Sequence, residues 1–174
     1  SAGVHTAVFA LRSVAGTPEG FALAQRFAVD AAADARVRVA AIRALGHRGS
    51  APGADTLMKV LATRGLAATL MLEAMTALAA TEDARAVDAM LDRLTDPRPQ
   101  IRAAAIAGAA RLDQEGFLLV VSSLGPDREW SVRAALATTL GTLEPDRVRS
   151  GLVDLTEDQD QRVVPVDPLT RTGL

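Results

Sequence analysis

Aspartate and arginine recur in this chain at a spacing of six residues in two similar segments. The pairs are Asp96 with Arg102 and Asp127 with Arg133. An aspartate in a turn can accept a hydrogen bond from the first N–H groups of the next helix, and a guanidinium can bind a carboxylate through two parallel hydrogen bonds. These residue types predict helix capping and ion pairing, which is structural rather than catalytic chemistry.

Residues that usually catalyse reactions or bind metals are scarce. His5 and His47 are the only histidines, they stand far apart in the chain, and there is no cysteine. A Ser–His–Asp triad, a thiolate metal site and disulfides are therefore not indicated. The motifs GxSxG, GxxxxGK[ST] and HExxH do not occur. We expect no catalytic activity, no cofactor and no metal in this chain.

A group of carboxylates near the C-terminal end is the one possible cation site. Its members are Asp154, Glu157, Asp158 and Asp160. Their spacing lacks the ligand positions and the glycine of a calcium-binding loop. We interpret the group as a solvated turn whose aspartate caps a helix.

The composition suits a protein built from closely packed helices. Of 174 residues, 49% are hydrophobic and only 3% are aromatic, so alanine, leucine, valine and methionine must build the core. A net charge of −2 gives no basic bias toward nucleic acid. No apolar run reaches the ~18–20 residues that a membrane helix needs. No signal peptide is visible, so we expect a cytoplasmic location. A removed leader stays an alternative, because the sequence begins with Ser1 rather than with Met.

Aliphatic residues at a constant period organise the chain. They are Val37, Leu70, Ile101, Val132 and Val163, separated first by 33 and then by 31 residues. A period of this length is typical of stacked repeats. Helical spacing of apolar residues predicts two helices in each period. The first helices are predicted at Val4–Ala15, Ala35–Leu45, Leu66–Ala80, Arg98–Leu112 and Trp130–Leu143, and the second helices at Pro18–Ala31, Gly53–Thr63, Ala84–Leu94, Gln114–Leu124 and Pro145–Leu155.

The resulting fold prediction is an all-α, right-handed α-solenoid of antiparallel helix pairs, with about four repeats and a stub. The repeat array is expected to cover residues 1–164. Pro165 and Pro168 leave no room for a long helix after the stub. Residues 165–174 are therefore expected to form a C-terminal tail or the start of a missing continuation.

The segments DPRPQIRAAAIAGAARL, from Asp96, and DREWSVRAALATTLGTL, from Asp127, resemble short bacterial HEAT repeats. The resemblance covers about residues 35–163. It implies that Asp96, Arg102, Asp127 and Arg133 belong to a ladder that locks neighbouring repeats together. Departures from the pattern are expected to break this ladder. In one repeat, Gly65 and Met71 stand at the aspartate and arginine positions of the ladder. Arg38 has Ala32 at its aspartate position, where Asp34 or Asp30 can substitute. Asp158 has Val164 at its arginine position.

Two residues differ from their counterparts in the other repeats. Leu119 aligns with Asp88 and Ser150, and the helix around it is apolar on nearly every side. Trp130 is the only tryptophan and begins a predicted helix on the ridge. Each residue can anchor a partner protein or can pack against a neighbouring loop, and both interpretations stay open.

The resemblance implies protein–protein interaction or scaffolding as the function. Three alternatives remain: an accessory domain of a larger enzyme such as a peptidyl-prolyl isomerase, a HEAT-like bilin lyase, and a DNA-binding protein. The expected partner is another protein, without a membrane and with nucleic acid disfavoured. A homodimer through the C-terminal helix Pro145–Leu155 is also possible, because its apolar residues need a cover.

Overall fold

A computed structural model describes residues 2–14, 16–47, 49–143, 158–160, 162 and 163. The described residues form helices and turns and contain no strand. The helices are α1 (Ala2–Val14), α2 (Pro18–Val29), α3 (Ala35–Leu45), α4 (Ala51–Leu61), α5 (Ala68–Thr81), α6 (Val87–Leu91), α7 (Pro99–Leu112), α8 (Gln114–Ser122) and α9 (Trp130–Leu140), and a 3-10 turn at Ala84–Ala86 precedes α6.

The helices form an α-solenoid of antiparallel pairs. We number the repeats from the N-terminus: α1 and α2 form repeat 1, α3 and α4 repeat 2, α5 and α6 repeat 3, α7 and α8 repeat 4, and α9 begins repeat 5. The first helices pack in succession, α1 on α3, α3 on α5, α5 on α7 and α7 on α9. The predicted fold class is thus confirmed, while the right-handed sense stays a prediction.

Alanines and aliphatic anchors fill the layer between the first helices. Val37, Leu70, Ile101 and Val132 are all buried. Small side chains lie one turn further on, as at Ala105, so neighbouring helices can approach closely. Leu136, the counterpart of these alanines, is only partly buried. Among the described residues its helix α9 packs against α7 on one side, whereas each earlier first helix from α3 to α7 lies between two others.

Side-chain caps start several second helices. Thr17 accepts a hydrogen bond from the Gly20 N–H at 3.1 Å, and Asp113 accepts one from the Gly116 N–H at 3.0 Å. Each bond satisfies an N–H group that has no partner within the helix.

The second helix of repeat 3 is shorter than the sequence predicts. The expected helix at Ala84–Leu94 is divided into the 3-10 turn and the five residues of α6. At its end the backbone closes into i→i+3 turns, where the Arg93 N–H bonds the Met90 carbonyl at 2.9 Å. The Arg93 guanidinium then reaches the Leu61 carbonyl at the end of α4, at 2.9 Å.

Candidate functional site

Arg102, in the first turn of α7, joins two repeats. Its Nε and Nη2 donate to the Asp127 carboxylate oxygens at 2.7 and 2.8 Å. Its Nη1 donates to the backbone carbonyl of Asp96 at 2.8 Å. The Arg102 side chain is 7% exposed, so this bidentate ion pair is largely removed from water. Such a pair fixes geometry as well as supplying energy.

Arg133 repeats the arrangement one period later. Its Nη2 donates to the Asp158 carboxylate at 3.0 Å, and its Nη1 donates to the Asp127 backbone carbonyl at 2.8 Å. The arginine thus binds the carboxylate that lies 25 residues after it. Within its own turn it binds only the main chain of the aspartate. The pairs read from the sequence, six residues apart, therefore meet through a carbonyl rather than through the carboxylate.

The turn aspartates do not cap helices in the expected way. Residues Arg98 and Glu129 occupy the N-cap positions of α7 and α9, and neither makes a side-chain cap bond. The Asp96 and Asp127 carboxylates each accept the backbone N–H two residues later, both at 2.9 Å. This is an Asx turn, which orders the approach to the helix rather than its first turn.

Asp96 is bound by its own turn. Arg98 donates through Nε and Nη2 to its two carboxylate oxygens, both at 2.8 Å. These hydrogen bonds lower the Asp96 pKa from 3.8 to about 2, against an opposing effect of burial. Position 71, which corresponds to Arg102 one repeat earlier, is a methionine, and Arg98 Nη2 lies 3.1 Å from its sulfur. The inter-repeat ion pair is absent here among the described residues.

Arg38 is buried but has a different partner from the one expected. It donates through Nε and Nη2 to the Ala28 carbonyl at 3.4 and 3.3 Å. The proposed substitute Asp34 is bound by Arg36, and Asp30 accepts the Ala32 N–H at 2.9 Å. Arg38 thus satisfies the end of α2 instead of a turn carboxylate.

An open cleft of about 430 Å³ lies beside the Arg102–Asp127 pair, between the turns at 95–97 and 125–128. Arg102 is committed through all three nitrogens to Asp127 and to backbone carbonyls. No group of three or more potential metal ligands occurs among the described residues. Of the four C-terminal carboxylates, Asp158 is bound by Arg133 and Asp160 by Arg162, while Asp154 and Glu157 lie outside the described residues.

Leu119 lies on α8 and is 75% exposed. The same helix inserts Phe117 fully into the core, and within the described residues α8 packs substantially only against α7. Leu124, just after the helix, is 48% exposed. Residues 116–126 carry no charged side chain. We call Leu119 and Leu124, with the outer side of α8, the α8 face.

Trp130 begins α9 and is 38% exposed. The Arg162 guanidinium carbon lies 3.8 Å from its ring centroid, within stacking distance. Arg162 is itself held by the Asp160 carboxylate, through Nη2 at 2.7 Å. Trp130 and Leu119 belong to α9 and α8, which are not closely packed helices in the described structure. The sequence predicted neither this stacking nor the Asp96–Arg98 pair, although the recurring Asp-x-Arg spacing was a usable signal.

Comparison with known protein families matches residues 28–111 to HEAT repeats. Residues 28–111 are HEAT repeats. The match spans α3 to α7, which carry three of the four buried anchors, Val37, Leu70 and Ile101. No curated protein matches the chain. Among the residues that the structure describes, no helix has the length and apolar character needed to span a membrane. The predicted dimer helix Pro145–Leu155 and residues 165–174 lie outside the described residues.

Proposed function

We propose that this HEAT-repeat chain is a protein–protein interaction module that binds its partner through the α8 face. HEAT repeats suggest an interaction or scaffold role in general. The α8 face is a specific candidate because it leaves a leucine 75% exposed on a helix whose neighbouring phenylalanine is fully buried. Exposed apolar groups of this kind often lie in protein interfaces.

Trp130 is the second candidate contact. One face of its ring is covered by Arg162, so a partner would reach the remaining exposed area. Tryptophan often contributes strongly to binding because it buries a large area with few rotatable bonds. We place it at the edge of the interface rather than at its centre, because it lies on a different helix from Leu119.

The residues do not favour a DNA-binding function. Three of the arginines that could form a basic patch near repeat 2 have partners within the protein: Arg36 pairs with Asp34, Arg38 with the Ala28 carbonyl and Arg43 with Glu73. The two carboxylates offset the charges of Arg36 and Arg43. A salt-dependent DNA titration tests this alternative, since a phosphate-binding groove would show an affinity that falls steeply with salt.

The experiment compares Leu119→Asp with Val29→Asp. Val29 is also an exposed aliphatic residue, 47% exposed, but lies at the end of α2. Proteins captured by the wild-type chain from its source cells would be identified, purified and titrated against both variants. We expect Leu119→Asp to weaken binding at least tenfold and Val29→Asp to leave it unchanged.

Thermal melts of both variants provide the control. A charged residue at an exposed helix position should change the free energy of unfolding by less than about 1 kcal/mol. Strong destabilisation by Leu119→Asp would show that Leu119 belongs to the core. Unchanged binding by a stable Leu119→Asp variant would contradict the α8 face as the interface.

A further inference from the structure

Polar contacts connect repeats 2 and 3 along the whole joint. On the first helices, Arg43 Nε donates to the Glu73 carboxylate at 2.7 Å. On the second-helix side, Arg93 Nη2 donates to the Leu61 carbonyl at 2.9 Å. Two further links are the Gly49 N–H to the Thr81 carbonyl at 2.8 Å and Arg85 to Asp55 at 3.3 Å.

Repeats 4 and 5 are joined differently but also firmly. The joint contains the Arg102–Asp127 pair, with two hydrogen bonds shorter than 3 Å and an arginine side chain only 7% exposed. Because the same guanidinium also binds the Asp96 carbonyl, it links the turns before α7 and α9. Bending at this joint would have to break a partly buried bidentate ion pair.

Repeats 3 and 4 have much weaker polar connections in the described structure. Arg111 meets Glu82 at 3.3 Å, and the Arg111 side chain is 56% exposed. Arg98 contacts the Met71 sulfur, a weak acceptor, while its ion pair is with Asp96 in its own turn. Exposed ion pairs contribute little to stability, and Arg111 makes one hydrogen bond to Glu82, whereas the similarly exposed Arg43 makes two to Glu73. This joint is therefore held mainly by apolar contact of α7 with α5 and α6, which is not directional.

The second helices support this joint from one side only. In repeats 1 and 2, α2 packs on α4, and Gln25 Nε2 donates to Thr56 Oγ1 at 3.0 Å. In repeat 3 the second helix α6 has only five residues; it packs on α7 but makes no comparable packing with α8 in the described structure. Repeats 3 and 4 therefore meet through apolar helix packing, without a partly buried ion pair between them in the described structure.

From these contacts we infer that the solenoid bends preferentially at the α5–α7 joint. Two residues leave this joint without a ladder bond. Met71 stands where the ladder has an arginine, and Arg98 binds the Asp96 carboxylate within its own turn. Bending here breaks no bidentate ion pair between repeats, so the two parts of the array can change their relative angle while each keeps its core. This inference does not depend on the α8 face being an interface.

Paired spin labels can measure the bending, because the chain has no native cysteine. Thr76, Ala107 and Thr138 are exposed residues of α5, α7 and α9, spaced by 31 residues. Cysteines at 76 and 107 report on the α5–α7 joint, and cysteines at 107 and 138 report on the α7–α9 joint. Dipolar broadening of frozen-solution EPR spectra then gives the distance distribution of each pair. Equivalent positions and identical labels make the label motion comparable.

We expect the 76/107 distribution to be about twofold broader than the 107/138 distribution. Adding Met71→Arg together with Arg98→Glu copies the arrangement of Arg102, Asp127 and Glu129 onto the weaker joint. This double substitution should narrow the 76/107 distribution and leave 107/138 unchanged. In the opposite direction, Arg102→Met should broaden 107/138.

Circular dichroism identifies variants that retain the native helix content. Should the double variant lose its fold, the unsubstituted pairs and Arg102→Met still test the inference. Equal widths for the two unsubstituted pairs would overturn it. So would a native Arg102→Met variant whose 107/138 distribution does not broaden.

Discussion

The turns at Asp96 and Asp127 occupy equivalent positions one period apart, yet their carboxylates bind different arginines. Asp127 is held by Arg102 of the preceding repeat, whereas Asp96 is held by Arg98 of its own turn. Both carboxylates accept the backbone N–H two residues later at 2.9 Å. The shared turn is therefore compatible with a bond between repeats or a bond inside one repeat.

The residue two positions after the aspartate distinguishes the two outcomes. An arginine there reaches the carboxylate locally, as it does after Asp34, Asp83 and Asp160. Asp127 is followed at that position by Glu129, which cannot donate, so its carboxylate is available to Arg102. The residue 25 positions earlier must also be an arginine for the bond between repeats to form. Position 71 fails this requirement, and position 102 meets it.

The largest expected difference in the free energy of unfolding is between the variants Arg102→Met and Arg98→Met. Arg102→Met copies position 71 and leaves the partly buried Asp127 carboxylate without its guanidinium, so we expect it to cost about 2–3 kcal/mol of unfolding free energy. The Arg98 side chain is 34% exposed, but the Asp96 carboxylate that it pairs with is only 10% exposed and keeps the backbone N–H of residue 98. Arg98→Met should therefore cost less than Arg102→Met, about 1–2 kcal/mol.

Urea denaturation of the two variants and the wild type checks this order. Both substitutions replace an arginine near the start of α7 by the same residue, so helix propensity contributes little to the difference. Equal losses of stability would show that the bond between repeats has no advantage over the local one.

A smaller effect is expected from changing the aspartates. Asp127→Ala removes both the Arg102 contact and the Glu129 N–H bond and should cost about 1–2 kcal/mol. Asp127→Asn can still accept the Glu129 N–H, so about half of that loss should be recovered. Thermal unfolding of both variants measures how much of the lost stability comes from the ion pair and how much from the Glu129 N–H bond. If Asn is no better than Ala, the Asx turn contributes nothing measurable and the ion pair is the whole effect.

The sequence predicted the repeat architecture well because the relevant signals are periodic. Val37, Leu70, Ile101 and Val132 are buried as their spacing indicates. The polar network was less predictable. An arginine can extend toward several acceptors at comparable distance, and Asp96 offers a carboxylate to one arginine and a carbonyl to another. The spacing of residues along the chain does not show which of these acceptors an arginine binds.

Exposure on the second helices was also only partly predictable. The polar counterparts of Leu119 in other repeats left open whether it is exposed or packs against a loop, and its side chain is 75% exposed. The sequence did not indicate that the preceding second helix, α6, would end after five residues. Just after its end, Arg93 makes a long-range bond to the Leu61 carbonyl, which no local pattern encodes. The stacking of Arg162 on Trp130 is likewise a tertiary contact.

The smallest predicted effect is a shift in the pKa of one carboxyl group, Asp96. It distinguishes a carboxylate bound within its own turn from one bound by the preceding repeat. The Asp96 pKa lies at about 2 instead of 3.8, chiefly through its hydrogen bonds from Arg98. A folded-state pKa below the unfolded value gives stability that is fully present above about pH 4 and is lost as the pH falls toward 2. We expect Arg98→Met to raise the Asp96 pKa toward 3.8, whereas Arg102→Met should leave it near 2, because Arg102 contacts only the Asp96 carbonyl. Titration of the Asp96 carboxyl carbon by NMR checks both variants. A rise of similar size in the Asp96 pKa of both variants would mean that the whole joint stabilises the carboxylate. The conclusion that Arg98 stabilises it locally would then be wrong.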